Sequence, residues 1–146
     1  MGLPAAKQGD QVTGMDTHIV LVPSGTGVTP VPTPLPFMGT LLQDLSTDVF
    51  LDNRPAATKG SVAINMPPHI APNGSFQTPP KNQGDIELGS FTVTINGKDA
   101  ARMGDPATTC NDVGMVFHSQ VVLAGPCTVF IGSGGPDAGA LSMPWA

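Results

Sequence analysis

The sequence has no tyrosine and a single tryptophan, Trp145, which leaves little from which to build an aromatic-lined groove. Charge is also scarce. Asp, Glu, Lys and Arg make up 12% of the 146 residues, about half the roughly 25% usual in soluble domains, so the surface must be mostly Thr, Ser, Asn, Gln and backbone. Six basic residues stand against eleven acidic ones, a formal net charge of −5. With no basic run and no basic–aromatic interleaving, nucleic acid is not an expected partner. Apolar runs such as Ile19–Val22 and Val121–Ala124 fall far short of the roughly 18 residues that span a bilayer, so no stable membrane insertion is expected. Met1–Pro4 shows no charged region leading into an apolar core. The chain is therefore expected to be made in the cytoplasm without a signal peptide. Cysteine is limited to Cys110 and Cys127, expected to stay reduced in that compartment.

Glycine and proline are in excess. The chain carries 18 Gly and 16 Pro, close to twice their average share of roughly 12%, and one or the other recurs every few residues. Inside a helix Gly costs about 1 kcal/mol and Pro about 3 kcal/mol, which excludes a helical bundle. Disorder is the rival reading, but disordered segments combine low hydrophobicity with high net charge, and this chain is 40% hydrophobic. The composition predicts one folded, turn-rich, all-β domain over residues 1–146.

The chain also repeats itself. Pro4–Asp10 (PAAKQGD) returns as Pro55–Ser61 (PAATKGS) and as Asp99–Asp105 (DAARMGD), sharing the pattern A-A-x-x-G-[D/S]. A β-type run and a turn precede the second and third copies: Val49–Leu51 with Asp52-Asn53-Arg54, and Val93–Ile95 with Asn96-Gly97-Lys98. Asn-Gly is a strong tight-turn signal. The first copy has no strand before it, whereas Thr128–Gly132 is a strand with only a degenerate continuation. That last strand supplies the missing front of the first repeat, so the chain should close on itself with its ends together. Asp85–Leu88 and Gln120–Leu123 form an earlier strand in each later unit, with Thr40–Leu42 a weaker equivalent. Short strands between Gly/Pro/Ser turns, repeated about three times, predict a small three-sided β-structure. Two insertions, Pro23–Pro36 with alternating Pro30, Pro32, Pro34 and Pro36, and Pro67–Pro80, read as extended polyproline-type surface loops; peptide recognition is the alternative.

The three histidines are His18, His69 and His118. His18 follows Gly9 by nine residues and His69 follows Gly60 by nine, which makes them repeat equivalents; in the third copy Cys110 follows Gly104 by six, and His118 comes eight later. Repeat-related loops should lie at one end of a three-sided structure. His18, His69, Cys110 and His118 would then converge as three imidazoles and one thiolate, a set suited to tetrahedral Zn²⁺, with iron the alternative metal. A narrow, loop-rich tip has little apolar area, and a metal can substitute for core. The competing reading is three unrelated surface histidines and a buried thiol.

Other polar residues read as structural. Cys127 aligns with Phe91 and Thr47 just before a strand, as a packed apolar thiol would. Asp10 and Asp105 recur after the repeat glycine, fitting an Asx-type turn better than catalysis, with Lys7 and Arg102 placed to pair with them. Cys110 with His118 satisfies a thiol hydrolase on paper, but no helix N-terminus is at hand to lower the thiol pKa.

These residues resemble the PAAR-repeat family of spike-tip proteins from contractile injection systems, whether type VI secretion or extracellular phage-tail-like particles. The matches are Thr92–Asp105 (TVTINGKDAARMGD), Met66–Ile70 (MPPHI) and Thr109–Asp112 (TCND), along with the repeated near-copies of a Pro-Ala-Ala-Arg motif. The resemblance implies a conical, pseudo-threefold β-structure with a metal near its point, held by His18, His69, Cys110 and His118. It implies a broad base seated on a trimeric, β-helical VgrG-like spike, one tip per trimer. It further implies a place at the tip of an injection apparatus, delivered outside the cell.

The expected function is a non-enzymatic, metal-stabilised tip that sharpens the spike, aids envelope puncture and can help attach effectors. No appended effector domain is expected. Gly132–Gly139 and the apolar Leu141, Met143 and Trp145 are expected to cover the base, contact the spike or cap the chain's own core. The alternatives are a free-standing β binding domain for carbohydrate or protein, and a small metallo- or thiol hydrolase.

Overall fold

The computed structural model of the chain describes residues 2–112 and 119–132. Among the described residues it contains thirteen strands and no helix. In chain order they are β1 (Leu3–Pro4), β2 (Gln11–Ser24), β3 (Gly27–Gln43), β4 (Phe50–Leu51), β5 (Arg54–Pro55), β6 (Val62–Asn65) and β7 (Ser75–Phe76). They continue with β8 (Gln83–Ile86), β9 (Thr94–Ile95), β10 (Lys98–Asp99), β11 (Pro106–Thr108), β12 (Ser119–Val122) and β13 (Phe130–Ile131).

Threefold repetition governs the backbone. The amide of Ala6 donates to the carbonyl of Ala101 (2.9 Å), that of Ala57 to Ala6 (3.0 Å) and that of Ala101 to Ala57 (3.1 Å), a closed cycle through the three copies. The bridges Lys7↔Ala56, Thr58↔Ala100 and Ala5↔Arg102 close a second cycle. Six alanines, two from each copy, are fully buried here. Three backbones meet within hydrogen-bonding distance, so a larger side chain would overpack the ring. After each Ala pair the chain turns at a glycine in the left-handed region, Gly9, Gly60 and Gly104, with φ of 90°, 91° and 89°. Only glycine adopts this without strain.

Apolar side chains collect on both sides of this ring. One cluster holds Val12, Leu41, Ile86, Val121 and Phe37 with the second alanine of each copy. The other holds Leu51, Ile95 and Ile131 with the first alanine of each copy, flanked by Val49, Val93 and Val129. The second cluster lies under two hairpins, β4–β5 and β9–β10. Their turns, Asp52-Asn53 and Asn96-Gly97, have positive φ at both central positions, the I′ geometry that matches strand twist. The third such pair is β13 with β1, registered Leu3↔Ile131 and Pro4↔Phe130. This is the closure of the chain's ends that the repeats imply.

Around the first cluster the strands form a ring in the order β12-β11-β8-β6-β3-β2, closed because β12 also pairs with β2. Closure leaves these strands without free edges where they pair. Strands following a repeat motif (β2, β6, β11) alternate with returning strands (β3, β8, β12). The main departure from the sequence reading lies at Pro23–Pro36. This segment is not a polyproline loop: it lies within the β2–β3 hairpin, which stays paired from Gln11↔Thr40 to Ser24↔Gly27. Proline tolerates a strand where its missing N–H faces away from the partner. Pro67–Pro80 is largely loop, as expected, with β7 inside it pairing onto β2 at Val20↔Phe76.

The recurring acids act in turns. Asp10 Oδ2 accepts from the Lys7 amide (3.0 Å) and Asp105 Oδ2 from the Arg102 amide (2.7 Å), while Ser61 Oγ does the same for Thr58 (2.9 Å). Lys7 and Arg102 also pair with these carboxylates through their side chains, at 3.1 Å and 3.0 Å, and both pairs are buried. Both cysteines are free thiols, and Cys127 packs against the second cluster. Residues 133–146, including the tail with Leu141, Met143 and Trp145, lie outside the described residues.

A candidate metal centre

Alternation along β2 builds the centre. Val12, Asp16, His18 and Val20 are buried, while the residues between them are more exposed, as the two-residue period of a strand requires. Asp16 and His18 therefore face the same side, inward, and both are 0% exposed. His18 sits within a strand rather than in the expected loop. His69 arrives from the loop after β6 and Cys110 from just beyond β11.

Asp16 is the hub. Its Oδ2 lies 3.0 Å from His69 Nε2, 3.2 Å from Cys110 Sγ and 4.0 Å from His18 Nε2. Cys110 Sγ is 3.6 Å from His18 Nε2, and the two imidazole centroids are 5.0 Å apart. One ligand atom from each of Asp16, His18, His69 and Cys110 lies within 4.8 Å of every other. Bonds of about 2.0 to 2.3 Å set at tetrahedral angles place donors roughly 3.3 to 3.7 Å apart. Two imidazoles, a thiol and a carboxylate are a donor set suited to a tetrahedral cation, which would draw the longer separations in by up to about 1 Å.

Neighbouring groups orient the donors, as outer partners of metal ligands do. The Thr109 hydroxyl donates to Asp16 Oδ1. Asn65 bridges: its Oδ1 accepts from the Met38 amide (3.0 Å), and its Nδ2 reaches Asn82 Oδ1 (3.1 Å) and His69 Nδ1 (3.3 Å). Asn82 Oδ1 also accepts from the His69 amide at 2.9 Å. Asp112 Oδ2 comes within 3.1 Å of His18 Nδ1, yet that buried nitrogen makes no hydrogen bond. Phe76 and Phe37 meet the rings of His18 and His69 edge-on, with centroids 5.6 Å and 6.2 Å apart.

Burial, followed by the hydrogen bond and the charge of Asp16, pushes the Cys110 thiol up to about 12. That is the opposite of an activated nucleophile. A bound cation would reverse the effect by displacing the proton.

Of the four residues expected to meet, His18, His69 and Cys110 do so, and His118 lies outside the described residues. Asp16 is a fourth candidate donor, one that repeat equivalence does not point to. Its signal in the sequence is the two-residue spacing from His18, which places both on one face only where Gln11–Ser24 is a strand.

The chain is thus a closed β-structure with internal threefold repetition and, beside its core, a buried cluster of side chains that could hold a metal ion. The PAAR motif model matches residues 25–113, more than half of the sequence, and the chain belongs to the PAAR-motif family. That span includes the second and third repeat copies, His69 and Cys110, while Asp16 and His18 precede it. The family is one of spike-tip proteins, structural rather than enzymatic, that associate with a spike protein. Comparisons with curated proteins and with solved structures gave no match.

Proposed function

We propose that this chain is the zinc-stabilised tip of a contractile injection system, capping a trimeric VgrG-like spike with one tip per trimer. The observation carrying this reading is the closed cycle Ala6–Ala101–Ala57. It gives one chain three near-equivalent sides, the symmetry needed to sit on a three-chain partner. The β4–β5, β9–β10 and β13–β1 pairs repeat around the second cluster, and Phe50 and Phe130 are exposed there, 57% and 55%. Such residues are the contacts a spike would bury.

Zinc suits the centre better than iron because a thiolate, two imidazoles and one carboxylate form a borderline-soft, four-donor set. Its role is to fasten β2, the loop after β6 and the segment after β11 together where apolar area is small. Asp16, His18, His69 and Cys110 would hold it, with His118 a further candidate donor. The tip is made in the bacterial cytoplasm and carried outward by the apparatus, and its work is mechanical. Attachment of effectors is compatible with this role.

The test is to purify the full chain with and without a trimeric VgrG-like spike and to measure the mass and metal content of the product. One tip per three spike chains, with about one zinc per tip, is the expected result. A folded tip with no affinity for the spike favours a free-standing binding domain.

A further inference from the structure

The ring of strands has no free edge where it closes, but the β2–β3 hairpin extends past it. Val28 and Val31 on β3 are 60% and 37% exposed, and among the described residues no strand pairs with the outer side of β3 before Gly39↔Asn65. A long, unpaired strand edge is a template for another chain. Charged side chains usually protect such edges, yet residues 17–43 contain no Asp, Glu, Lys or Arg.

Prolines occupy the positions that matter. The hairpin closes at Ser24↔Gly27, and pairs alternate from there between hydrogen-bonded and non-hydrogen-bonded. Pro30, Pro32, Pro34 and Pro36 face Leu21, Ile19, Thr17 and Met15, all non-bonded positions whose peptide groups point outward. The alternation is corroborated at both ends and on both sides. The next outward amide of β3, Met38, donates to Asn65 Oδ1, and the outward amides of Thr17 and Ile19 on β2 are taken by the side chains of Asn111 and Asp112. From Pro30 to Pro36 the outer edge of β3 thus offers carbonyls and no N–H.

We propose that these prolines are an edge guard that keeps the hairpin from pairing with a second copy of this chain. Two such edges brought together face carbonyl to carbonyl and form no ladder. The surrounding residues, with Val28, Thr29, Val31 and Thr33, are strongly β-forming and would otherwise pair. The inference is independent of the spike-tip reading.

The experiment compares the full chain with a Pro30→Thr, Pro32→Thr, Pro34→Thr triple variant by sedimentation over a concentration series. The expected result is a wild type that stays at the mass of one chain and a variant whose mass rises toward two. Placing Lys instead of Thr at position 32 of the triple variant should return it to one chain. A folded triple variant that stays monomeric overturns the proposal, as does equal association of the Thr and Lys versions. Should the triple variant not fold, the single Pro32→Thr chain decides by amide exchange. A new amide at position 32 exchanging at the rate of an exposed group supports the outward edge, and a protected one in the monomer overturns it.

Discussion

Asp16 Oδ2 lies 3.0 Å from His69 Nε2, joining residues 53 apart in sequence at the centre of the candidate site. The carboxylate also receives Thr109 and Cys110, so it ties β2 to the chain after β11 as well. If Asp16 is a metal donor, Asp16→Ala should reduce zinc affinity by at least about 10-fold, the lower end of the loss for groups that merely support a ligand. Competition with a chromophoric chelator checks this, and an unchanged affinity removes Asp16 from the ligand set.

The position of the Cys110 thiol sets a pH dependence. Its pKa is raised to about 12 from the ordinary 9.0, so metal uptake must displace a proton at neutral pH. Apparent zinc affinity should rise with pH, by up to about tenfold per unit for one proton released. In the metal-free protein the raised pKa stabilises the fold below pH 9, and that contribution is lost as pH climbs toward 12. Thermal melts across this window should show the decline, and Cys110→Ala should flatten it.

The buried Lys7–Asp10 pair (3.1 Å) occupies the place held in the second copy by the neutral Thr58 and Ser61. Lys7→Thr alone strands a buried carboxylate, and removing one member of a buried pair costs about 3–5 kcal/mol. Adding Asp10→Ser recreates the neutral turn and should recover a large part of that loss. Denaturant unfolding of the two single variants and the double variant measures the coupling.

Gly60 has φ of 91° with open space where a Cβ would stand, whereas Gly27 has the same open space without a positive φ. Gly60→Ala should therefore destabilise by about 1–2 kcal/mol through backbone strain alone. Gly27→Ala should change stability little. Equal effects in thermal unfolding would contradict the threefold role of the left-handed turn.

Much of the architecture was legible before folding because repetition is a property of sequence. The three A-A-x-x-G-[D/S] copies forecast three equivalent sides, and the displaced strand Thr128–Gly132 forecast closure against the N-terminus. The His18–His69 equivalence placed two imidazoles together. Asn96-Gly97 announced its turn through the positive φ that both positions need. Asp10 and Asp105 were readable as turn acids because their spacing to Lys7 and Arg102 is local.

What only the tertiary structure decided lies where a local pattern admits two partners. Alternating prolines from Pro30 to Pro36 fix φ near −65°, which suits both a polyproline loop and an edge strand, and the presence of β2 alongside chose the strand. Asp16 carried no repeat signature of its own. Its place at the hub follows from β2 being a strand, which turns Asp16 and His18 to one face, and from His69 and Cys110 being brought across the ring to meet them. Periodicity and repetition are written in the chain, but which side chains share a buried volume depends on long-range pairing, set by the closure of the strand ring as a whole.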